Sequence, residues 1–322
     1  MSVVGEFDLI QRYFTRPAHS ALLGIGDDCA LLAPTPGMQL ALSCDMLVEG
    51  RHFLPTVPPE RLGHKALAVN LSDLAACGAT PRAFLLALAL PRIDEAFLAG
   101  FARGLFALAD EHQIELVGGD TTAGPLAICI TVLGDVPPGQ ALRRDGARPG
   151  DALWVSHPIG GGIGDARLAL EVFRCRVAIA GEGFETLRLA MELPTPRVAL
   201  GLALRGIASA AIDVSDGLVG DLGHVLARSG VGARIEADAL PMSQMLAAQP
   251  LALRRECTLA GGDDYELLFT ARDNARVHAA AAQAQVGVTR IGRIEAAPGL
   301  VVVDADGRPL DLQLRGFDHF KP

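Results

Sequence analysis

Gln39-Leu-Ala-Leu-Ser-Cys-Asp45 alternates in period two and ends on an aspartate, and a different periodicity takes over downstream. The alternation describes a half-buried strand that delivers a polar residue at its tip. From about Glu60 to Cys77 the apolar positions Leu62, Ala66, Val69 and Leu74 keep helical spacing, and Gly78 with Pro81 beyond it forms a stop. Strand followed by helix is the opening of an α/β unit, and the rest of the first half repeats it. Phe84-Leu-Leu-Ala-Leu-Ala-Leu90 reads as a buried strand ended by Pro91. Asp94 can cap a helix running to about His112 through Phe97, Phe101, Leu105 and Leu108. Ile114 to Val117 then leads into Gly118-Gly119-Asp120, and Leu126 to Leu133 is a further strand before the Pro137-Pro138-Gly139 break.

Arg143-Arg-Asp-Gly-Ala-Arg-Pro-Gly150 combines charge with turn formers and is read as a boundary, giving domains 1–147 and 148–322. In the second half, strands are expected at Ala152–Ser156, at 267–270, 288–294 and 300–303, and Ala211-Ile-Asp-Val-Ser-Asp-Gly217 is expected to end a further strand and open a helix through about Ser229. Pro158-Ile-Gly-Gly-Gly-Ile-Gly164 leads into a helix near Asp165. It is either a phosphate-holding turn or simply a tight turn needing positive φ, and it lacks the ending of a P-loop. The fold class is α/β with an α+β flavour: two domains, each a mixed sheet covered by helices.

Nine aspartates stand in six turn-rich clusters around Asp27-Asp28, Asp45, Asp73, Asp120, Asp213/Asp216 and Asp263-Asp264. Carboxylates beside Gly and Ser at the ends of apolar runs are costly to bury alone, so cations are expected to hold them. Hard divalent ions, Mg²⁺ above all, take oxygen ligands and share substrate phosphates. Such a set suits phosphoryl transfer, where positioning and charge stabilisation carry the reaction. Any one Asp next to Gly can be a turn or cap residue; six clusters together point to a site.

The composition narrows the partners. With 322 residues, 50% hydrophobic and a net charge of −9, the chain can bury a large core and offers no basic surface for nucleic acid or anionic membrane. The six scattered cysteines make no Cys-x-x-Cys pair, which removes zinc and redox motifs. No apolar run is long enough to span a bilayer and the N-terminus lacks a signal-like pattern, so the cytoplasm is expected. No Ser-His-Asp or Cys-His arrangement suggests a covalent nucleophile.

Gly24-Ile-Gly-Asp-Asp-Cys-Ala30, Lys65-Ala-Leu-Ala-Val-Asn-Leu-Ser-Asp-Leu-Ala-Ala76, Gly118-Gly-Asp-Thr-Thr122, Ile212-Asp-Val-Ser-Asp-Gly-Leu218 and Gly261-Gly-Asp-Asp-Tyr-Glu-Leu267 occur in this order. In that order they resemble the thiamine-monophosphate kinase family, within the superfamily of aminoimidazole ribonucleotide synthetase and selenide water dikinase. The resemblance runs from Gly5 to Phe320. It implies ATP-dependent phosphorylation of thiamine monophosphate to thiamine diphosphate by direct in-line transfer, the last step of thiamine diphosphate biosynthesis. It also implies a homodimer joined through the N-terminal sheets and several Mg²⁺ ions, with ATP as co-substrate.

By motif position it places Asp28, Ser43, Asp45, Asp73, Asp120, Asp213 and Asp216 on metal. Cys44 would join them only through its backbone oxygen, since a hard cation avoids a thiol. Gly119, Asp120, Arg144 and Ser215 would contact ATP, and His52, Asp263 and Phe317 the thiamine monophosphate. Asp27 and Asp264 receive no role beyond shaping their turns. Three positions depart from the family's pattern: Cys44 for a hydroxyl residue, Asp263 for Glu, and Phe317 for Tyr or Trp. The competing readings are another ATP-dependent enzyme of the superfamily, or a nucleotide- or metal-sensing module without turnover. A hydrogenase-maturation protein would be expected to end in a reactive cysteine, whereas this sequence ends His319-Phe-Lys-Pro322.

Overall fold

A computed structural model describes residues 5–311, so Phe317 lies outside the described residues. Residues 5–74 and 79–139 form one unit; residues 75–78 and 140–311 form the other.

The first unit begins with a short helix, α1 (Glu6–Leu9), that widens into a π-helical turn over Ile10–Phe14. Its sheet is built from β1 (Gln39–Val48), β2 (Thr80–Leu90), β3 (Glu115–Ala123) and β4 (Ala127–Val136) in the order β1-β4-β2-β3. β4 runs antiparallel to both β1 and β2, and β2 and β3 are parallel, so the sheet is mixed. The helices are α2 (Pro59–Cys77) and α3 (Glu95–Glu111). α2 stops at Gly78, whose φ of +65° a side chain would resist. Asp94 caps α3 by accepting the Phe97 amide at 3.0 Å. The core joins helix residues such as Leu67, Leu71, Leu98 and Phe101 to strand residues such as Phe84, Leu88 and Ile128.

β3 extends through Gly118-Gly119-Asp120 to Ala123, six residues past the expected end at Val117. Parallel pairing with β2 carries it on: Gly119 faces Leu86 and Asp120 faces Ala87. Between Phe84 and Leu85 the partner jumps from Leu116 to Gly118, a bulge that leaves Val117 without an opposite residue. Bulges of this kind re-aim the side chains that follow. Gly119 has φ +150°, and a Cβ there would lie 1.8 Å from the Leu86 carbonyl oxygen. Only glycine lets the two strands approach so closely just before Asp120.

The second unit holds six strands: β5 (Ala152–His157), β6 (Ala208–Asp213), β7 (Gly232–Glu236), β8 (Leu267–Ala271), β9 (Gly287–Glu295) and β10 (Gly299–Val303). Their order is β10-β7-β9-β5-β8-β6, with β10 and β7 parallel and the other pairs antiparallel. The helices are α4 (Asp165–Phe173), α5 (Glu182–Glu192), α6 (Val198–Ala203), α7 (Leu218–Ser229), α8 (Gln244–Ala247), α9 (Leu251–Ala260) and α10 (Asn274–Ala284). α7 buries Leu218, Leu222 and Val225 in a cluster with Leu153, Ile212, Ile235 and Ile291 from the sheet.

Register fixes the functional end of this sheet. Asp213 of β6 pairs with Leu267 of β8, and Val155 of β5 pairs with Leu268. The turn after β5, the turn after β6 and the turn before β8 therefore meet at one end. Ligands of α/β sheets gather at such strand ends.

Candidate active site

In the first unit the alternation of β1 sorts its residues by face. Ser43, Asp45 and Leu47 turn inward, while Leu40, Leu42, Cys44 and Met46 are exposed. α2 supplies the facing polar groups. Ser43 Oγ donates a very short hydrogen bond to Asp73 Oδ2, and the Asp45 amide donates to Asn70 Oδ1 at 3.0 Å. Asn70 and Asp73 are three residues apart on α2 and so share one helix face. Asn70 is held in turn by its own amide, which donates to the Ala66 carbonyl at 3.0 Å. Strand and helix thus align a hydroxyl and two carboxylates, a set of hard oxygen donors.

Cys44 stands on the other face of β1, where its Sγ lies 3.3 Å from Cys129 Sγ. Burial and the contact with Cys44 push the Cys129 thiol up to about 11, which keeps it protonated. Asp28 sits ahead of β1, its amide donating to Asp27 Oδ1 at 3.3 Å. His52 follows β1, where its Nδ1 accepts the Val48 amide at 2.9 Å, leaving Nε2 as the nitrogen that carries the proton.

Asp120 is not beside these groups. β1 and β3 are the two edges of the sheet, three strand spacings or about 14 Å apart at the usual ~4.8 Å per strand. Among the described residues, no three His, Cys, Asp or Glu side chains come together as a ready-made metal cage. The donor chemistry nevertheless fits a hard cation, because carboxylate and hydroxyl oxygens are what Mg²⁺ takes. It usually completes its shell with substrate phosphate and water.

The second unit gathers its residues more tightly. β6 ends at Asp213, and Val214-Ser215-Asp216-Gly217 turns the chain into α7. Asp221, in the first turn of α7 and 3% exposed, accepts the amides of Ser215 and Asp216 at 3.1 Å each. Burial, with the Asp216 charge adding to it, pushes the Asp221 carboxyl up to about 7; Arg144 acts in the opposite direction. The segment carrying Arg144 runs along β6, with the Ala211 amide donating to the Arg143 carbonyl at 3.0 Å. Asp221 went unnoticed in the sequence, where an Asp four residues past Gly217 on an apolar helix was the available signal.

Gly262 to Glu266 lies directly against this turn. The Asp263 amide donates to Ser215 O at 2.9 Å and the Tyr265 amide to Val214 O at 2.8 Å. Asp263 and Tyr265 both adopt positive φ, +71° and +51°, and Tyr265 Oη donates to Asp263 Oδ1 at 3.1 Å. Non-glycine residues pay for that conformation with strain that the surrounding contacts must hold. Arg144, Asp213, Ser215, Asp216 and Asp263 are thus set around adjoining turns at one end of the second sheet.

Asp264 has a definite place as well. Its Oδ1 accepts the Gly164 amide at 2.7 Å, at the start of α4. The helix start behind the glycine-rich turn therefore already holds an internal carboxyl, where an external phosphate would have bound. Burial pushes the Asp264 carboxyl well above its ordinary value. Glu266, the next residue but one, makes a two-point pair with the Arg197 guanidinium and accepts from Ser156 Oγ.

The description "AIR synthase related protein, N-terminal domain" matches residues 26–136, and "AIR synthase related protein, C-terminal domain" matches residues 148–305. Thiamine-monophosphate kinase of Salmonella typhimurium strain LT2 is 47% identical over 326 residues, covering 98% of both chains. The chain belongs to the thiamine-monophosphate kinase family. Thiamine-monophosphate kinase from Stenotrophomonas maltophilia K279a, a crystal structure, is 48% identical with a TM-score of 0.83 over 91% of this chain and 93% of that one. AaThiL complexed with AMPPCP and TMP is 31% identical with a TM-score of 0.76, over 89% of each chain. The similarity to both solved structures runs over most of this chain and so takes in both units described above.

Proposed function

We propose that the oxygen donors of both units bind magnesium ions around ATP and thiamine monophosphate, and that these positioned groups carry an in-line phosphoryl transfer. As a member of its family, the chain is an ATP-dependent kinase that converts thiamine monophosphate to thiamine diphosphate. The observation that carries the residue-level reading is the all-oxygen set fixed by Ser43–Asp73 and by the Asp213–Asp216 turn. It supports Mg²⁺ at Asp28, Ser43, Asp45, Asp73, Asp120, Asp213 and Asp216, with Cys44 contributing backbone oxygen only. When bound, the ions neutralise polyphosphate oxygens and steady the attacking and leaving oxygens.

The chain's own residues orient the reactants. Gly119, Arg144 and Ser215 hold the nucleotide together with Asp120, while His52, Asp263 and Phe317 hold thiamine monophosphate. Arg144 offers a fixed charge and a planar donor edge to phosphate. In this reading residues 1–147 bind most of the nucleotide and metal and form the dimer, and residues 148–322 add Asp213, Ser215 and Asp216 and complete the substrate site.

A homodimer through the first sheet is supported by β1. It is an edge strand whose outward face exposes Leu40, Leu42 and Met46 by 50%, 61% and 56%. An apolar edge of that kind is an aggregation hazard unless a partner covers it. A cytoplasmic location accords with the helices: among the described residues none is long and apolar enough to cross a membrane.

The test is a coupled assay of purified protein with MgATP and thiamine monophosphate, following thiamine diphosphate. Asp120→Ala is expected to abolish transfer while leaving the melting temperature close to the wild-type value. Activity retained by that variant at saturating Mg²⁺ would overturn the Asp120 assignment. Turnover with a different phosphorylated acceptor, and none with thiamine monophosphate, would overturn the substrate.

A further inference from the structure

Three arginines, Arg143, Arg144 and Arg148, stand in the segment that precedes β5. Arg143 is tied to the Asp145 carboxylate, whereas the Arg144 guanidinium has no hydrogen bond or ion pair among the described residues. The Arg144 backbone, by contrast, is fixed. Ser229, the last residue of α7, donates its hydroxyl to the Arg144 carbonyl at 2.9 Å and accepts the Ala147 amide at 3.2 Å. Gly146 lies so close to β6 that a Cβ there would sit 1.9 Å from the Ser209 carbonyl oxygen. Ala147, 5% exposed, packs in the same apolar cluster as Val225 and Leu226 of α7. A serine in a helix commonly bonds back to a carbonyl of its own preceding turn. Ser229 instead commits both its donor and its acceptor to residues 85 and 82 positions away along the chain.

At its other end α7 holds the turn after β6, through the Ser215 and Asp216 amides that Asp221 accepts. Residues 221 and 229 are separated by about 12 Å along the helix axis, at 1.5 Å per residue. One buried helix therefore spaces the Ser215 turn from the Arg144 backbone. Arg144 spans part of that distance, since its charge is felt at the Asp221 carboxyl. Given the assignment of Arg144 and Ser215 to ATP, on which this rests, we propose that Ser229 is a positioning residue for the nucleotide: it fixes the Arg144 backbone at the far end of α7 so that the guanidinium meets a phosphate lodged at the Ser215 turn. A guanidinium gives phosphate two parallel hydrogen bonds only when its plane and distance are right. Loosening the loop therefore weakens the hold on nucleotide and leaves thiamine monophosphate untouched.

Calorimetric titration of the full chain with a non-hydrolysable ATP analogue and Mg²⁺, beside the KM for each substrate, tests it. Ser229→Ala removes both hydrogen bonds from a half-buried helix end, where folding is not at stake. It is expected to bind the analogue about fivefold more weakly and to raise the KM for ATP by the same factor, with the KM for thiamine monophosphate unchanged. Ser229→Thr keeps the hydroxyl and should stay within about twofold of the wild type. Because Ser229 acts through Arg144, the double variant Arg144→Ala/Ser229→Ala should bind the analogue no more weakly than Arg144→Ala alone.

Wild-type affinity in Ser229→Ala, a threonine variant as weak as the alanine one, or losses that add in the double variant would each overturn the role of Ser229. So would a parallel rise in both KM values with a lowered melting temperature, since a general loosening of the unit then accounts for it. Calorimetry with the analogue needs no turnover. A wild type that binds it yet forms no thiamine diphosphate would sink the kinase reading, and the affinities of the variants would still decide what Ser229 does.

Discussion

Replacing Glu266 by Ala should be among the most damaging single changes in the second unit. Glu266 is 4% exposed and Arg197 9%. The Arg197 Nε donates to Glu266 Oε2 at 2.7 Å, a second bond joins Arg197 Nη2 to Oε1, and Ser156 Oγ donates to Oε2. Ser156 Oγ also accepts the Leu267 amide at 2.8 Å, which ties the network to the first residue of β8. The alanine variant leaves a buried guanidinium without its anion. Breaking such a pair costs about 3–5 kcal/mol. At about 2–4 °C per kcal/mol for a unit of this size, the melting temperature should fall by roughly 6–20 °C.

Urea denaturation followed by circular dichroism measures this directly. The partner variant Arg197→Met/Glu266→Leu removes both charges and fills similar volume, so it should recover most of the loss. Because Glu266 anchors the Asp263–Asp264 turn, Glu266→Gln should raise the KM for thiamine monophosphate more than that for ATP. A Glu266→Ala protein within about 1 kcal/mol of the wild type would refute the reasoning. It would mean that water or a rearranged neighbour replaces the anion at no cost.

Gly119→Ala should lose more than about 2 kcal/mol of stability and most of its activity, since a Cβ 1.8 Å from the Leu86 carbonyl oxygen forces β3 away from β2 next to Asp120. Chemical unfolding and kcat measure both effects, and a near-native variant would show that β3 need not approach β2 so closely. The second concerns pH. Asp264 has a folded-state value raised above its ordinary 3.8, so its contribution to stability is complete below that value and is lost as pH rises through the folded one. Unfolding free energy should therefore fall more steeply with rising pH in the wild type than in Asp264→Asn, and parallel pH profiles would count against a buried, protonated Asp264.

Much of the secondary structure was legible because its signals are local. Asp94 caps α3, Gly78 ends α2, and the alternation of residues 39–45 marks β1, each through groups a few residues apart. β3 was read too short, because Gly-Gly-Asp looks like a turn until parallel pairing with β2 and the bulge at Val117 are known. The segments of α5 and β7 carry no comparable local signal, whereas α10 does have one: Asp273 caps it by accepting the Arg276 amide at 3.1 Å, as Asp94 caps α3. Among site residues, the clustered aspartates stood out by neighbours such as Gly and Ser. Asp221 did not stand out, and Asp264, though clustered, was given only its turn, since what distinguishes both is burial and the amides they accept from residues 5 and 6 or 100 positions away.

By itself the sequence determined the family, the two mixed-sheet units and the set of oxygen donors, because motif order and apolar periodicity are properties of the chain as a string. Only the tertiary structure decided which donors meet. It set Ser43 against Asp73 across 30 residues, placed Asp120 on the opposite sheet edge, and turned the start of α4 into the seat of Asp264. The physical reason is that hydrogen bonds and buried charges are settled by distance in space, and register, bulge and strand order fix those distances through contacts far apart along the chain.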